Sequence, residues 1–240
     1  MQDFDLHWKE VKEKLNSYLN RDILNDNELA KIEECIDNNW YLTGEKDFSV
    51  YSDNRYLQIA YLCFKHYSRG FMLKAVPVIE EIEPKNILDV GAGIGATTAM
   101  LAKRFENSVV YYQNLPGEQF NFAKYLLESF NNINYILSVE EAIQADLIIG
   151  VELFEHIKQP ISLLIRLLSL QPKALIISNS FGAKAYGHFS SFIVDGVEVS
   201  PTKISKCFNN TLRDAGYKID IRSKSFWNSR PTIWVKSSNV

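Results

Sequence analysis

The chain has few cysteines, no long apolar run and little excess of charge, and each shortage excludes a class of protein. Its 240 residues include three cysteines, Cys35, Cys63 and Cys207, which are far apart in the sequence. Three isolated cysteines predict reduced thiols and argue against a disulfide framework or a zinc site. The longest apolar runs have only the length of strands, so no membrane-spanning segment is predicted.

Charge and the N-terminal residues exclude further classes. The formal net charge is −3, and the lysines and arginines are scattered along the chain. A chain without a basic patch is not expected to bind nucleic acid or an anionic membrane surface. Residues 1–5 lack the basic and apolar character of a secretion signal, from which we expect a cytoplasmic protein.

The first third of the sequence has helical periodicity. Hydrophobic residues make up 46% of the chain, which is ample for a core. A helix is predicted near the N-terminus, a second from about Asp26 to Asn38, and a third block from Arg55 to about Ile82 with a break at residues 68–70. Residues 1–82 are therefore predicted to form a helical cap or lid in front of a second unit, residues 83–240.

From Asn86 onward, strands and helices alternate, which is the pattern of a parallel sheet with helices on both faces. After a helix at 201–215, two closing strands at 217–226 and 232–237, joined by residues 227–231, predict an antiparallel hairpin. The predicted fold class is α/β, a Rossmann-like, seven-stranded, mostly parallel sheet with an antiparallel C-terminal hairpin. The other predicted strands are 86–90, 108–113, 133–138, 146–151 and 173–179, and the helices between them are 96–105, 117–130, 139–144 and 160–170.

The segment Ile87–Gly95 reads Ile-Leu-Asp-Val-Gly-Ala-Gly-Ile-Gly and predicts a ligand-binding turn. Its alternating glycines allow a ligand to approach the backbone near the positive end of the following helix. The pattern also fits a dinucleotide site loosely, with Ala96 as the third small residue. Against NAD, the next strand ends in Gln113-Asn114 rather than in an acid, and Asp89 stands where such folds keep an apolar residue.

An acid followed by alternating glycines resembles motif I of the class I S-adenosyl-L-methionine (SAM)-dependent methyltransferases. Residues 146–151 followed by 152–157 also resemble the fourth strand of that family and its usual Glu-His helix start. The resemblance covers about residues 87–237 and implies that SAM is the cofactor and that residues 83–240 bind it.

The resemblance, with the rule that ligands bind at the carboxyl ends of parallel strands, implies a set of cofactor contacts. The family often has acids where Asn114 and Ser138 stand, and both residues could instead only cap turns. Arg69 could reach the methionine carboxylate. The implied contacts are Asp89, Gly91, Ala92 and Gly93 for the methionine part, Gln113, Asn114 and Leu115 for ribose and adenine, Ser138 and Val139 for the adenine edge, and Val151 and Glu152 below the sulfonium.

Methyl transfer to a hydroxyl group usually requires a base, and histidine is the commonest base near neutral pH. Of four histidines, His188 is the first candidate because it follows the fifth predicted strand among aromatic residues; an ordinary loop role is the alternative. His156 is the second, with a structural role as its alternative. A metal held by Asp195, His188 and Glu152 is conceivable, but no close-spaced ligand set supports it, and none is predicted.

The sequence therefore predicts a SAM-dependent methyltransferase for a small-molecule acceptor, with a sugar hydroxyl as the leading class. Residues 110–116 and 125–127 are similar to a segment of bacterial sugar O-methyltransferases. The alternatives are an N-methyltransferase for a small amine or peptide, an NAD-linked oxidoreductase, and a non-catalytic SAM-binding protein. Aromatic residues of the helical front end could form a lid, a core stripe or a homodimer surface: Trp40, Tyr41, Tyr51, Tyr56, Tyr61, Tyr67 and Phe71.

Overall fold

A computed structural model describes residues 2–23, 25–52, 54–142, 144–225 and 232–237. Its strands are β1 (Asn86–Val90), β2 (Val109–Gln113), β3 (Ile133–Ile136), β4 (Leu147–Val151), β5 (Ala174–Ser178), β6 (Phe192–Val194), β7 (Val197–Val199), β8 (Tyr217–Ile219) and β9 (Thr232–Lys236). Seven of them form one sheet in the order β3-β2-β1-β4-β5-β9-β8, in which the first five are parallel and β9 is antiparallel to both neighbours. The predicted fold class is confirmed.

The helices are α1 (Gln2–Leu19), α2 (Asp26–Leu42), α3 (Asn54–Ile82), α4 (Ala96–Arg104), α5 (Glu118–Leu126), α6 (Pro160–Ser169) and α7 (Pro201–Asp214). The predicted break at residues 68–70 was wrong, because α3 is continuous and contains Pro77. Its last turns pack Ala75, Val78 and Ile79 against the sheet, and this burial outweighs the local cost of proline. The predicted helix at 139–144 is only a 3-10 turn, Val139–Glu141.

The C-terminal hairpin is shorter than predicted. Its first strand ends at Ile219, and a 3-10 turn follows at Ile221–Ser225. Asp220 causes this, because its carboxylate accepts the backbone N–H of Arg222 at 2.9 Å and bends the chain out of the strand. The predicted joining segment 227–231 lies outside the described residues.

The β6–β7 hairpin forms a separate two-stranded sheet that was not predicted from the sequence. Its two-residue turn is Asp195-Gly196, and both residues have positive φ. Asp-Gly between short apolar stretches is a strong hairpin signal, so the sequence did contain the information.

The central strands β1, β4 and β5 are buried on both faces, which explains their nearly continuous apolar sequences. On one face, Leu88 and its neighbours pack against α6 and α7; on the other, Ile87 and its neighbours pack against α3 and α4. Helix α1 contributes Trp8, Val11 and Leu15 to a core shared with α3, α4 and α5, so the front helices and the sheet are packed together. Among the described residues, none of the helices combines the length and apolar character that crossing a membrane requires.

Candidate functional site

A cavity of about 790 Å³ lies at the carboxyl ends of the parallel strands. Strand order reverses between β1 and β4, and open α/β sheets bind ligands at this point because the loops there diverge. The cavity runs from the glycine loop after β1 to the segment after β5. Most of the predicted contacts line it: Gly91, Gly93, Gln113, Asn114, Leu115, Ser138, Val139, Val151, Glu152, His156 and His188.

The glycine loop is held open by hydrogen bonds from β2. Gly91 and Gly93 have φ of 62° and 54°, a conformation that side chains disfavour. The N–H of Gly91 donates to Oε1 of Gln113 at 3.1 Å, while Nε2 of Gln113 donates to the carbonyl of Leu137 at 3.1 Å. Gln113 therefore uses both ends of its amide to fasten the loop to the sheet.

Asn114 is the polar group at this edge that remains available to a ribose. Its Nδ2 contacts the carbonyl of Gly93 and the hydroxyl of Tyr112, each at 3.3 Å. Its Oδ1 accepts no hydrogen bond within the described part of the chain. An added Cβ on Gly93 would lie 2.7 Å from the ring of Phe64, so only glycine fits beneath that ring.

Asp89 and Ala92 lie behind the cavity wall rather than in its lining, and their contacts with a cofactor stay predictions. The carboxylate of Asp89 is almost fully buried and accepts a hydrogen bond from Thr98 Oγ1 at 2.6 Å. Burial raises the pKa of Asp89 to about 7, and the Thr98 hydroxyl opposes this only in part. The N–H of Ala92 donates to the carbonyl of Gln113 at 3.0 Å.

Two leucine side chains with large exposed apolar surfaces stand at the predicted adenine edge. Leu115 is 73% exposed and Leu137 is 50% exposed, and both line the cavity. Ser138 begins the 3-10 turn with its N–H donating to Glu141 at 2.8 Å, and Val139 is buried beside it. A flat aromatic base between these leucines would cover apolar surface that the protein leaves in solvent.

Glu152 occupies a strained position directly after β4, with φ of 48°. Non-glycine residues with positive φ are uncommon and cluster at functional sites. Its carboxylate accepts hydrogen bonds from the hydroxyls of Ser178 and Ser180, the latter at 2.8 Å. Two serines from the end of β5 thus fix the orientation of this carboxylate.

His156 and His188 line the other end of the cavity, and Glu155 is buried directly behind them. The ring centroids of the two histidines are 4.6 Å apart, and the rings lie edge to face. Burial lowers the pKa of His156 to about 3, with a further contribution from His188, and burial also lowers the pKa of His188. Both rings are therefore neutral near pH 7.

Glu155 precedes His156 in a buried turn after β4. Phe154–His156 is a single 3-10 turn, and Glu155 is completely buried. Its Oε1 accepts the N–H of Ser180 at 2.9 Å. Burial, followed by the charge of Glu152, raises the pKa of Glu155 well above its usual range. The Glu-His pair after the fourth strand is the signal in the sequence for this position.

The segment that carries His188 is clamped by α2, which sequence reasoning did not foresee. Trp40 is fully buried and donates its indole N–H to the carbonyl of His188 at 2.9 Å. Asp37 accepts the N–H of Tyr186 at 2.6 Å. Tyr51, from the stretch between α2 and α3, contacts Nδ1 of His156 at 3.1 Å. The front helices therefore shape the site as well as cover it.

The remaining predicted residues have different outcomes. Asp195 lies exposed in the β6–β7 turn, outside the cavity lining, so it cannot join His188 and Glu152. The side chains of Arg69, Tyr67 and Phe71 lie outside the described residues, and their roles stay predictions. His7 is buried in α1 and contacts the carbonyl of Ala96, a structural role.

No protein-family model matches the sequence, and no curated protein matches it either. Among solved structures, the methyltransferase domain of bacterial CtHen1-CN is similar, with 14% identity and a TM-score of 0.51 over 72% of this chain and 100% of that one. The N-terminal domain of EvdMO1, solved in the presence of SAH and D-fucose, has 15% identity and a TM-score of 0.51 over 68% of this chain and 81% of that one. This chain has the fold of the class I SAM-dependent methyltransferases.

Proposed function

We propose that the protein is a SAM-dependent methyltransferase that methylates a hydroxyl group of a small molecule, with a sugar or related metabolite as the acceptor class. The observation that carries this proposal is the continuity of one cavity. Its one end has the glycine loop, Asn114 and Leu115, and its other end has Glu152, His156 and His188. A donor and an acceptor can therefore meet in line within one enclosed space.

The residues at one end of the cavity would bind the cofactor. The glycine loop leaves room for the methionine part, Asn114 offers an amide to the ribose, and Leu115 with Leu137 covers the adenine. When bound, SAM supplies an electrophilic methyl group on sulfur. The acceptor oxygen forms the new bond to carbon, the carbon–sulfur bond breaks with its electron pair going to sulfur, and the hydroxyl proton leaves to a neighbouring group.

Several observations support a small hydroxyl acceptor. The volume of about 790 Å³ is in the range of small-molecule sites, and it includes the space for the cofactor. Polar groups that suit hydroxyls, Glu152 and the two histidines, converge at the acceptor end. The structure of the similar EvdMO1 domain was determined with SAH and D-fucose, which is consistent with a sugar acceptor.

Calorimetric titration with SAM, SAH and NAD tests the cofactor assignment. We expect SAM and SAH to bind and NAD not to bind; binding of NAD alone would contradict the proposal. A screen of sugars, other alcohols and amines with methyl-labelled SAM then tests the acceptor class. Labelled product from amines alone would favour N-methylation, and so would His188→Ala with unchanged turnover.

A further inference from the structure

A cluster of potential metal ligands lies at the wall of the proposed acceptor end of the cavity, with two histidines in the lining and a buried glutamate behind them. Glu155, His156 and His188 each offer one ligand atom, and these three atoms lie within 4.8 Å of one another. Ligand atoms about 2.1 Å from an ion are roughly 3 to 3.5 Å apart, so small side-chain rotations would complete the set. The three residues come from the turn after β4 and the segment after β5, which only the fold brings together.

Glu155 provides a second, independent observation. Its side chain is completely buried, and its Oε2 receives no hydrogen bond from any described residue. The carboxylate of Glu152 is close enough to share a proton with it. A buried carboxylate oxygen without a donor, beside a second carboxylate, is unfavourable unless a proton or a cation compensates it.

The histidines are supported as metal-binding histidines usually are. Nδ1 of His188 lies 3.1 Å from the carbonyl of Ala183. Because a carbonyl can only accept, Nδ1 carries the proton and Nε2 keeps its lone pair. Such a bond from the second ring nitrogen to a backbone carbonyl orients metal-ligating imidazoles. The Tyr51 hydroxyl lies 3.1 Å from Nδ1 of His156 and orients that ring.

The charges around the cluster also favour a cation. The acidic residues Glu33, Asp37 and Glu152 line the same cavity. Of the two cationic side chains in the described lining, Arg166 is paired with Glu140 and Lys184 is exposed. Within the described lining of the cavity, the carboxylates and neutral imidazoles of the cluster therefore have no paired lysine or arginine.

We infer that Glu155, His156 and His188 bind one divalent transition-metal ion, with Glu152 beside it as a further oxygen ligand or proton acceptor. Two imidazoles and a carboxylate suit Mn²⁺, Co²⁺ or Zn²⁺ better than Mg²⁺ or Ca²⁺, which prefer oxygen ligands. The sequence alone predicts no metal, and this inference replaces that prediction. The ion would hold the acceptor hydroxyl and ease the loss of its proton; this role rests on the proposed function, whereas binding of the ion does not.

The test is titration of the EDTA-treated, desalted full chain with CoCl₂ near neutral pH, followed by the visible absorption of Co²⁺. We expect one Co²⁺ per chain with bands that report nitrogen ligation. His156→Gln and His188→Gln should each weaken binding on the order of 100-fold, and Tyr51→Phe about tenfold through His156. His7→Gln and Glu198→Gln, a buried and an exposed control, should bind Co²⁺ like the wild type.

Glu155→Gln should also bind Co²⁺ much more weakly than the wild type, with far-UV circular dichroism as the check that this variant is folded. If it is not folded, the His156→Gln and His188→Gln variants test the inference. The inference is overturned if the wild type binds neither CoCl₂ nor MnCl₂, or if the histidine variants bind as tightly as the wild type. Calorimetry with SAM on the same EDTA-treated protein separates the two proposals. SAM binding without Co²⁺ binding overturns the metal site only, and Co²⁺ binding without SAM binding overturns the methyltransferase only.

Discussion

Replacing Asp89 with asparagine should make the stability of the protein less dependent on pH. Asp89 is buried beneath the glycine loop, and burial raises its pKa to about 7 from the ordinary value of 3.8. Between these values the folded protein keeps a proton that the unfolded chain releases. The free energy of unfolding therefore falls as the pH rises through this window, and the loss is complete above the folded pKa.

The expected magnitude follows from this shift. About three pKa units correspond to roughly 4 kcal/mol, of which about 2.5 kcal/mol lies between about pH 5 and pH 8. Asparagine resembles the protonated acid in shape and charge, so Asp89→Asn removes this contribution. Urea unfolding followed by circular dichroism at both pH values measures it, because all other titrating groups are common to the two proteins. The variant should lose about 2.5 kcal/mol less than the wild type over this range.

Asp214→Asn is the matched control, since Asp214 is an exposed carboxylate at the end of α7. It should retain the pH dependence of the wild type. Equal slopes for the wild type and Asp89→Asn would refute the reasoning, because they would mean that Asp89 has no elevated pKa in the folded state.

Three further predictions concern the cavity wall. Gly93→Ala would place a methyl group 2.7 Å from the Phe64 ring and should weaken SAM binding by about tenfold or more in calorimetry. The control Gly196→Ala, with a similarly positive φ but open space around it, should lose only about 1 kcal/mol of stability through backbone strain. Equal SAM affinities of the two variants would contradict a binding role of the Gly93 position. Leu115→Ala should weaken SAM binding about three- to tenfold with little change in the free energy of unfolding. The control Ile221→Ala removes an equally exposed side chain and should change neither SAM binding nor stability. A large loss of stability in Leu115→Ala would show that Leu115 packs in the fold rather than binding the cofactor. Trp40→Phe leaves the buried carbonyl of His188 without this donor and should lower the stability in thermal unfolding by about 1–3 kcal/mol. Tyr41→Phe, which removes a donor from a more exposed carbonyl, should lower it by less than about 0.5 kcal/mol. A larger loss for Tyr41→Phe than for Trp40→Phe would contradict the role of Trp40 in holding the His188 segment.

The periodic parts of the fold were predictable because their signals are local. The strands of the parallel sheet were predicted nearly to the residue, since each is an apolar run ended by turn residues. The errors fall where tertiary packing or one side chain overrides the local pattern. Burial of its last turns keeps α3 continuous through Gly70 and Pro77, and the Asp220 carboxylate ends β8 early.

The candidate site was predictable in part for the same reason. The cofactor end is built on the glycine loop and on residues that directly follow strands, so the positions Gly91, Gly93, Asn114 and Leu115 followed from the topology. Asp89 was assigned to the same group; its carboxylate is bonded to Thr98 behind the cavity wall, and its role toward a cofactor stays a prediction. The direction of a side chain within a strand is not specified by the spacing of residues in the sequence.

The α/β architecture and the edge of the sheet at which the cavity lies follow from the sequence, because hydrophobic period and glycine spacing act over a few residues. The far end of the cavity depends on tertiary contacts. There, Tyr51, Glu155, His156 and His188 meet from three segments, and Trp40 of α2 holds the last of these segments in place. The contacts of Trp40 with His188 and of Tyr51 with His156 join residues more than a hundred positions apart, and no local pattern in the sequence specifies them.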